Sequence, residues 1–257
     1  MSKSAVTLRA EAVSSEDSSS HAVKVQLRLR EMILAGDLAA GARITELGMV
    51  ERLGVSRTPI RAALIRLEQE GLLQMLPAGG YVVRTFSESD VADAIELRGT
   101  LEGLAARRAA ECGVDESALA QARQLLRAID DLLARSELDD AAFGSYVQLN
   151  RCFHQLLAGL ARSSVLQREI ERVCGMPFAS PSGFVIQQAN SPRARDMLVV
   201  AQNQHWQVIE AITAREGARA EAILREHSRL AQRNLRDALL AHTDLPGAGL
   251  IQPRHTP

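Results

Sequence analysis

Apolar positions change their spacing along the chain, and the changes divide it. From Val23 to Leu34 they fall at 23, 25, 27, 29, 33 and 34, and the run stops at Gly36. That predicts a first helix closed by a glycine, which accepts the left-handed C-cap conformation without a Cβ penalty. Leu38-Ala39-Ala40-Gly41-Ala42-Arg43-Ile44 reads as a turn. Thr45 is placed to cap a short second helix that ends near Gly54, since its oxygen can accept from a free first-turn N–H. Ser56 is placed to cap a third helix, with Pro59 tolerated in its first turn. Ile60, Leu64 and Leu67 form the inner stripe of that helix, and Gly71 stops it. Two short apolar runs then flank Pro77-Ala78-Gly79-Gly80, a β-hairpin signal. Three helices and a small hairpin within residues 21–85 spell a winged helix-turn-helix.

Beyond Phe86 the period is helical almost throughout. Ser87-Glu88-Ser89-Asp90 resembles a capping box. Helices are expected near 88–111, 115–135, 139–160, 163–174, 191–215 and 217–241, the fifth opened by Ser191-Pro192. The longest break, 175–190, is rich in Pro, Gly and Ser, and the segment around Pro181-Ser182-Gly183-Phe184 is long enough for a lid. The expected fold class is therefore mainly α: an N-terminal winged helix-turn-helix with a small β-hairpin wing, then a C-terminal all-α bundle. The expected division is a disordered tail over 1–20, a winged helix-turn-helix domain over 21–85, a helical domain over 86–241, and a flexible tail over 242–257.

Composition agrees with a helical reading. Apolar residues make up 46% of the 257 positions but aromatics only 3%, whereas strands favour β-branched and aromatic residues. No apolar run is long enough for a membrane span, and the N-terminus lacks the apolar segment of a secretory signal, so a cytoplasmic protein is expected. Three widely spaced cysteines, Cys112, Cys152 and Cys174, form no disulfide framework and read as buried reduced thiols. The net charge of −1 hides an asymmetry: residues 21–85 carry nine Lys/Arg against six acids, a surplus of +3, while 86–257 sum to −3. A polyanion is thus the expected partner of the first module only.

Two sets of residues carry candidate chemistry. In Gly54-Val55-Ser56-Arg57-Thr58-Pro59-Ile60-Arg61, two arginines lie one turn apart at a helix start. Phosphates favour helix N-termini, and arginine can grip guanine bidentately in a major groove. Ser56 and Thr58 offer hydroxyls to phosphate oxygens, and Gly79-Gly80 lets the wing backbone approach the duplex. Singly, Arg57 and Arg61 read as solvated cations; the helix–helix–hairpin order makes DNA the better reading. In the second domain His154, His205 and His227 lie inside expected helices, with Asn150 one turn before His154. Together they could hold a borderline divalent metal, or be ordinary helix histidines each satisfied by a hydrogen bond. Arg98 and Glu102 share a face and could be a surface ion pair. Trp206, beside His205 on the helix, reads as core or interface.

Residues 23–84 resemble the winged helix-turn-helix of the GntR family of bacterial transcription regulators. The resemblance rests on Leu38 to Ile44, Glu46, Leu53 to Arg61, Leu67-Glu68-Gln69-Glu70-Gly71-Leu72-Leu73 and the glycine wing. Residues 88–241 resemble the ligand-sensing FCD domain of the FadR subfamily, through Glu96 to Ala105, Asn150 with Phe153-His154, and the segments around His205 and His227. The resemblance implies a recognition set of Ser56, Arg57, Thr58, Pro59 and Arg61. It implies a divalent ion of the zinc, nickel or manganese class on Asn150, His154, His205 and His227, with Asn150 where relatives carry Asp. It also implies a pocket in which Arg98, with Glu102, meets the carboxylate of a small organic acid, and the helix count resembles the VanR-like branch. The chain is thus expected to be no enzyme but a homodimeric, operator-binding repressor controlled by that acid. The other reading is a helical metal-dependent hydrolase, against which no general base or nucleophile motif stands near the histidines.

Overall fold

A computed structural model describes residues 21–135, 138–181, 194–240 and 247–252. The chain divides into two compact units, Met1–Glu88 with Pro246–Pro257, and Ser89–Leu245.

In the first unit, helix α1 covers 21–34 of the described residues. Strand β1 (Arg43–Ile44), α2 (Glu46–Leu53), α3 (Arg57–Gln69), β2 (Leu73–Met75) and β3 (Tyr81–Val83) follow. Ala22, Val25, Leu29 and Ile33 are the buried stripe of α1, whereas Val23 and Leu27 face outward; the helical repeat of three and four therefore overrides the alternation visible in the sequence. Thr45 caps α2, accepting from the Gly48 N–H at 3.1 Å, and Gly54 closes it at φ 66°. Ser56 stands at the N-cap of α3, but its side chain makes no capping bond, which corrects that expectation. The segment read as a plain turn contains β1, which pairs with β3, so the sheet runs β1-β3-β2 and all its pairs are antiparallel. Ile60, Leu64 and Leu67 of α3 are fully buried, as are Ile44, Leu72, Leu73 and Val83.

Residues 247–252 correct the expected flexible tail. They form a 3-10 turn (Ala248–Leu250) and strand β5 (Ile251–Gln252), which lies parallel to β4 (Phe86–Ser87). Leu250 and Ile251 are buried, and the Gly247 N–H donates to Leu34 O at 2.6 Å.

The second unit is helical: α4 (Glu88–Cys112), α5 (Glu116–Leu133), α6 (Asp140–Leu160), α7 (Ser164–Cys174), α8 (Ala194–Thr213) and α9 (Gly217–Leu240). Its main core joins α5, α6, α8 and α9 through Leu126, Ile129, Phe153, Val208, Ile212 and Leu224. α4 enters it through small residues, Ala106, Ala109 and Ala110, all fully buried, while Ala105 packs in a second cluster with Ala158, Ala161 and Ile170. Gly99 and Gly103 let it approach α9: a Cβ on Gly99 would lie 2.1 Å from Ser228 Oγ, and one on Gly103 3.0 Å from Glu221 O. The approach brings the Arg98–Glu102 face of α4 toward His227.

Cys112 and Cys152 are exposed and Cys174 is only partly covered, so the three cysteines are not the buried set that was expected. No helix among the described residues is long and apolar enough to cross a membrane. Ser182, Gly183, Phe184, Ser191 and Pro192, and the tails over 1–20 and 253–257, lie outside the described residues.

Candidate functional site

The first unit presents the start of α3 to solvent. Ser56, Arg57, Thr58 and Arg61 are exposed, as is Gly79. No acid occupies the first turn of α3, so the positive end of the helix dipole adds to two arginines. Glu46 approaches Arg61 to 3.7 Å, with both side chains well exposed; such a pair is worth about 0–1 kcal/mol, so Arg61 can leave it at little cost. The wing is braced by Arg43, whose Nη2 donates to Gly79 O at 2.9 Å. Gly80 has φ 82°, and a Cβ there would sit 2.9 Å from Ile44 O, so the wing turn admits glycine alone. Pro59 does not belong to this exposed set. It is buried in the first turn of α3, where it needs no N–H partner, and its place in the recognition set is corrected to a helix-starting role.

In the second unit α6, α8 and α9 bring His154, His205 and His227 together. Their ligand-type atoms all lie within 4.8 Å of one another. The three are 3%, 0% and 7% exposed. His154 Nδ1 lies 2.9 Å from Glu102 Oε1. His205 Nδ1 lies 3.2 Å from Gln202 Oε1, and His227 Nδ1 3.1 Å from Gln204 Oε1. Each Nδ1 thus faces a side-chain oxygen, the arrangement that places the ring proton on Nδ1 and leaves Nε2 as a lone pair. His205 Nε2 and His227 Nε2 face each other at 3.3 Å, a spacing that calls for a proton or a cation between them.

Electrostatics favour the neutral ring, the ligating form, for His205 and His227. Burial, then His227 and His154, hold His205 well below the ordinary histidine range. Burial, then His154 and Arg98, bring His227 down to about 3. Burial would raise Glu102, but His154 and then Arg98 outweigh it and hold the carboxyl below its usual range. Arg98 and Glu102 are each 1% exposed, so they are not the surface pair that their spacing allowed.

Within this buried group, Arg98 Nε and Nη1, Glu102 Oε2 and His154 Nε2 have no hydrogen-bond partner among the described residues. Left so, each would cost about 1–3 kcal/mol. Three converging imidazoles, a lone pair on His154 Nε2 and a neighbouring carboxylate are a donor set that fits a borderline divalent ion. Asn150 is 2% exposed and lines, with Arg98, Tyr146, His227 and Pro181, a cavity of about 30 Å³. That space is large enough for a water-sized ligand, since one water needs about 10–15 Å³.

Spacing alone could have revealed Tyr146, which stands one turn before Asn150 on the inner face of α6. Burial pushes its hydroxyl well above the usual tyrosine range. Gln202 is also findable, three residues before His205. Gln204 carries no such signal, because its partner His227 lies on another helix.

Comparisons with known proteins agree with this division. Residues 21–83 match the family described as bacterial regulatory proteins, gntR family, and residues 93–230 match the FCD domain. An HTH-type transcriptional regulator in an unstable DNA locus of Streptomyces ambofaciens is 31% identical over 206 residues, which cover 80% of each chain. The HTH-type transcriptional repressor RspR of Escherichia coli K12 is 29% identical over 208 residues, 77% of this chain and 82% of that one. Among solved structures, E. coli McbR/YncC matches with a TM-score of 0.59 at 20% identity, covering 87% of this chain and 99% of that one. Lar, which controls the expression of the Listeria monocytogenes agr system, matches with a TM-score of 0.61 at 17% identity, covering 84% of this chain and 96% of that one. At those identities the structural matches speak for the fold alone.

Proposed function

The chain belongs to the gntR family of bacterial regulatory proteins and carries an FCD domain; on that premise, which makes it a transcription regulator and not an enzyme, we propose that it is a homodimeric repressor whose operator affinity is set by a small carboxylic acid. The hydrolase reading falls with the family.

The observation that carries the effector half of this reading is the buried group of unpartnered polar atoms around three histidines. His154, His205 and His227, with Asn150, would hold a divalent ion of the zinc, nickel or manganese class. The ion would supply a Lewis-acidic anchor for a carboxylate oxygen. Arg98 adds a guanidinium with two unused nitrogen positions, suited to a carboxylate. Glu102 holds the His154 ring through Nδ1. The cavity of about 30 Å³ is too small for an organic acid as it stands, so acid binding requires its walls on α8 and α9 to move. That requirement ties occupancy to helix position, which is what a coupled regulator needs.

The DNA half rests on the exposed cationic start of α3. Ser56, Arg57, Thr58 and Arg61 would enter the major groove, with Gly79 and Gly80 carrying the wing to the backbone. One recognition helix per chain reads one half-site, so two chains would read a near-palindrome. The test has two steps. Binding selection from genomic fragments yields an operator, and a library of small carboxylic acids is then screened by thermal shift on zinc-loaded and chelated protein. The expected result is one acid class that raises the midpoint only with metal and releases the operator. Acids that bind equally to chelated protein, or none that binds, would overturn the reading.

A further inference from the structure

A hydrogen-bonded chain leads away from the histidine cluster to a carboxylate that no part of the site has used. Gln202 Nε2 donates to Leu126 O at 2.8 Å and to Asp130 Oδ1 at 2.7 Å. The other oxygen of that carboxylate, Oδ2, accepts from Trp206 Nε1 at 2.9 Å. Gln202 is 3% exposed and His205 fully buried, so the inner bonds of this chain, to Leu126 O and His205 Nδ1, are shielded from water.

The hydrogen-bond count fixes the chemistry. A primary amide has two N–H donors and one oxygen. Both donors of Gln202 are consumed, by a backbone carbonyl and a carboxylate, neither of which can accept from an oxygen. The amide therefore cannot turn over, and the atom that faces His205 Nδ1 at 3.2 Å is Oε1. An oxygen there requires a proton on Nδ1, which leaves Nε2 bare and directed at His227. Asp130 is itself held by the indole of Trp206, one residue beyond His205 on α8, so α5 and α8 share the lock.

We propose that Asp130 is a positioning residue of the histidine cluster, acting through Gln202 to keep His205 in the tautomer whose Nε2 can bind a metal ion. This rests on the metal-binding reading above for its purpose, but not for its first measurement. Asp130→Asn is nearly isosteric. Its new amide nitrogen faces either Gln202 Nε2 or Trp206 Nε1, both donors; the first orientation releases the Gln202 amide to turn and the second keeps it, so the lock is no longer single-valued. Adding Gln202→Glu returns a fixed acceptor to His205 Nδ1, now held by the asparagine N–H.

The experiment is nitrogen NMR of the imidazoles in chelator-treated protein, followed by zinc titration against a chromophoric chelator. In the parent protein His205 is expected as a single Nδ1–H tautomer. In Asp130→Asn the two tautomers mix and zinc binds about 10- to 100-fold more weakly, the usual scale for losing a residue that orients a ligating histidine. In the double variant the single tautomer and most of the zinc affinity return. Trp206→Phe removes only the outer bond and leaves the His205 tautomer unchanged, which separates positioning from general damage to α5–α8 packing. A parent-like tautomer in Asp130→Asn overturns the proposal, as does equal loss in Trp206→Phe. A parent protein that binds no zinc but shows the expected tautomers overturns the metal reading and leaves the lock standing.

Discussion

Gly99→Ala adds one methyl group at the α4–α9 contact, and the structure fixes what it meets. The new Cβ would stand 2.1 Å from Ser228 Oγ and 2.5 Å from Ser228 Cβ, distances that no relaxed pair of atoms adopts. Serine is too short to swing clear, since its Cβ is fixed to the α9 backbone, and its hydroxyl already donates to Arg225 O at 2.9 Å. So α9 must shift. Overpacking of this kind costs about 1–3 kcal/mol. Here the upper part of that range applies, because the clash reaches a Cβ. Replacing an interior helix glycine by alanine returns about 1 kcal/mol. The net loss is about 1–2 kcal/mol, or roughly 2–8 °C in midpoint for a protein of this size.

The assay is urea unfolding followed by far-ultraviolet circular dichroism, run as a cycle with Ser228→Gly. With Ser228→Gly the space opens, and Gly99→Ala should then stabilise by about 1 kcal/mol relative to Ser228→Gly alone. The coupling is therefore about 2–3 kcal/mol, far above the scatter of about 0.3–0.5 kcal/mol seen for independent sites. If Gly99→Ala is as stable as the parent, or the two changes add independently, then α4 does not approach α9 as described. The placement of Arg98 and Glu102 beside His227 would fall with it.

Further outcomes are open to measurement. Arg57→Ala and Arg61→Ala should each lower operator affinity by about 1–3 kcal/mol with unchanged circular dichroism, and unchanged footprints in both would remove α3 as the recognition helix. His205→Ala should abolish stoichiometric zinc as read by elemental analysis, and full zinc retention would exclude the cluster as its site. Ile251→Ala should destabilise the first unit by about 2 kcal/mol, because it empties a buried place beside β4; no change in its unfolding would mean that β5 does not pack there. Burial, then Glu102, push the Cys174 thiol up to about 12, and only the thiolate alkylates, so at about pH 8 iodoacetamide should label exposed Cys112 and Cys152 but spare Cys174 until urea is added. Equal labelling rates in the folded protein would refute the raised thiol of Cys174.

Local periodicity was enough to place helices and the hairpin. A helix repeats its environment every three to four residues, so Ile60, Leu64 and Leu67, or Asn150 and His154, declare a shared face in one dimension. The start of α3, with its two arginines and no acid, was legible for the same reason. Short strands were not: β1 and β5 have two residues each, too few for any alternation, and β5 pairs with a strand more than 160 positions away. Pro59 also misled, because its motif neighbours are exposed and it is not.

The sequence by itself thus determined two modules, their helices, and which side chains carried donor or cationic chemistry. Only the tertiary structure decided what those side chains do to one another. His154 meets Glu102 from 52 positions away, and Gln202 meets Asp130 from 72. Such contacts are set by how closely helices pack, at glycines such as Gly99, and by which polar atoms burial leaves to be satisfied. Both quantities depend on three-dimensional distance, which a one-dimensional period does not contain.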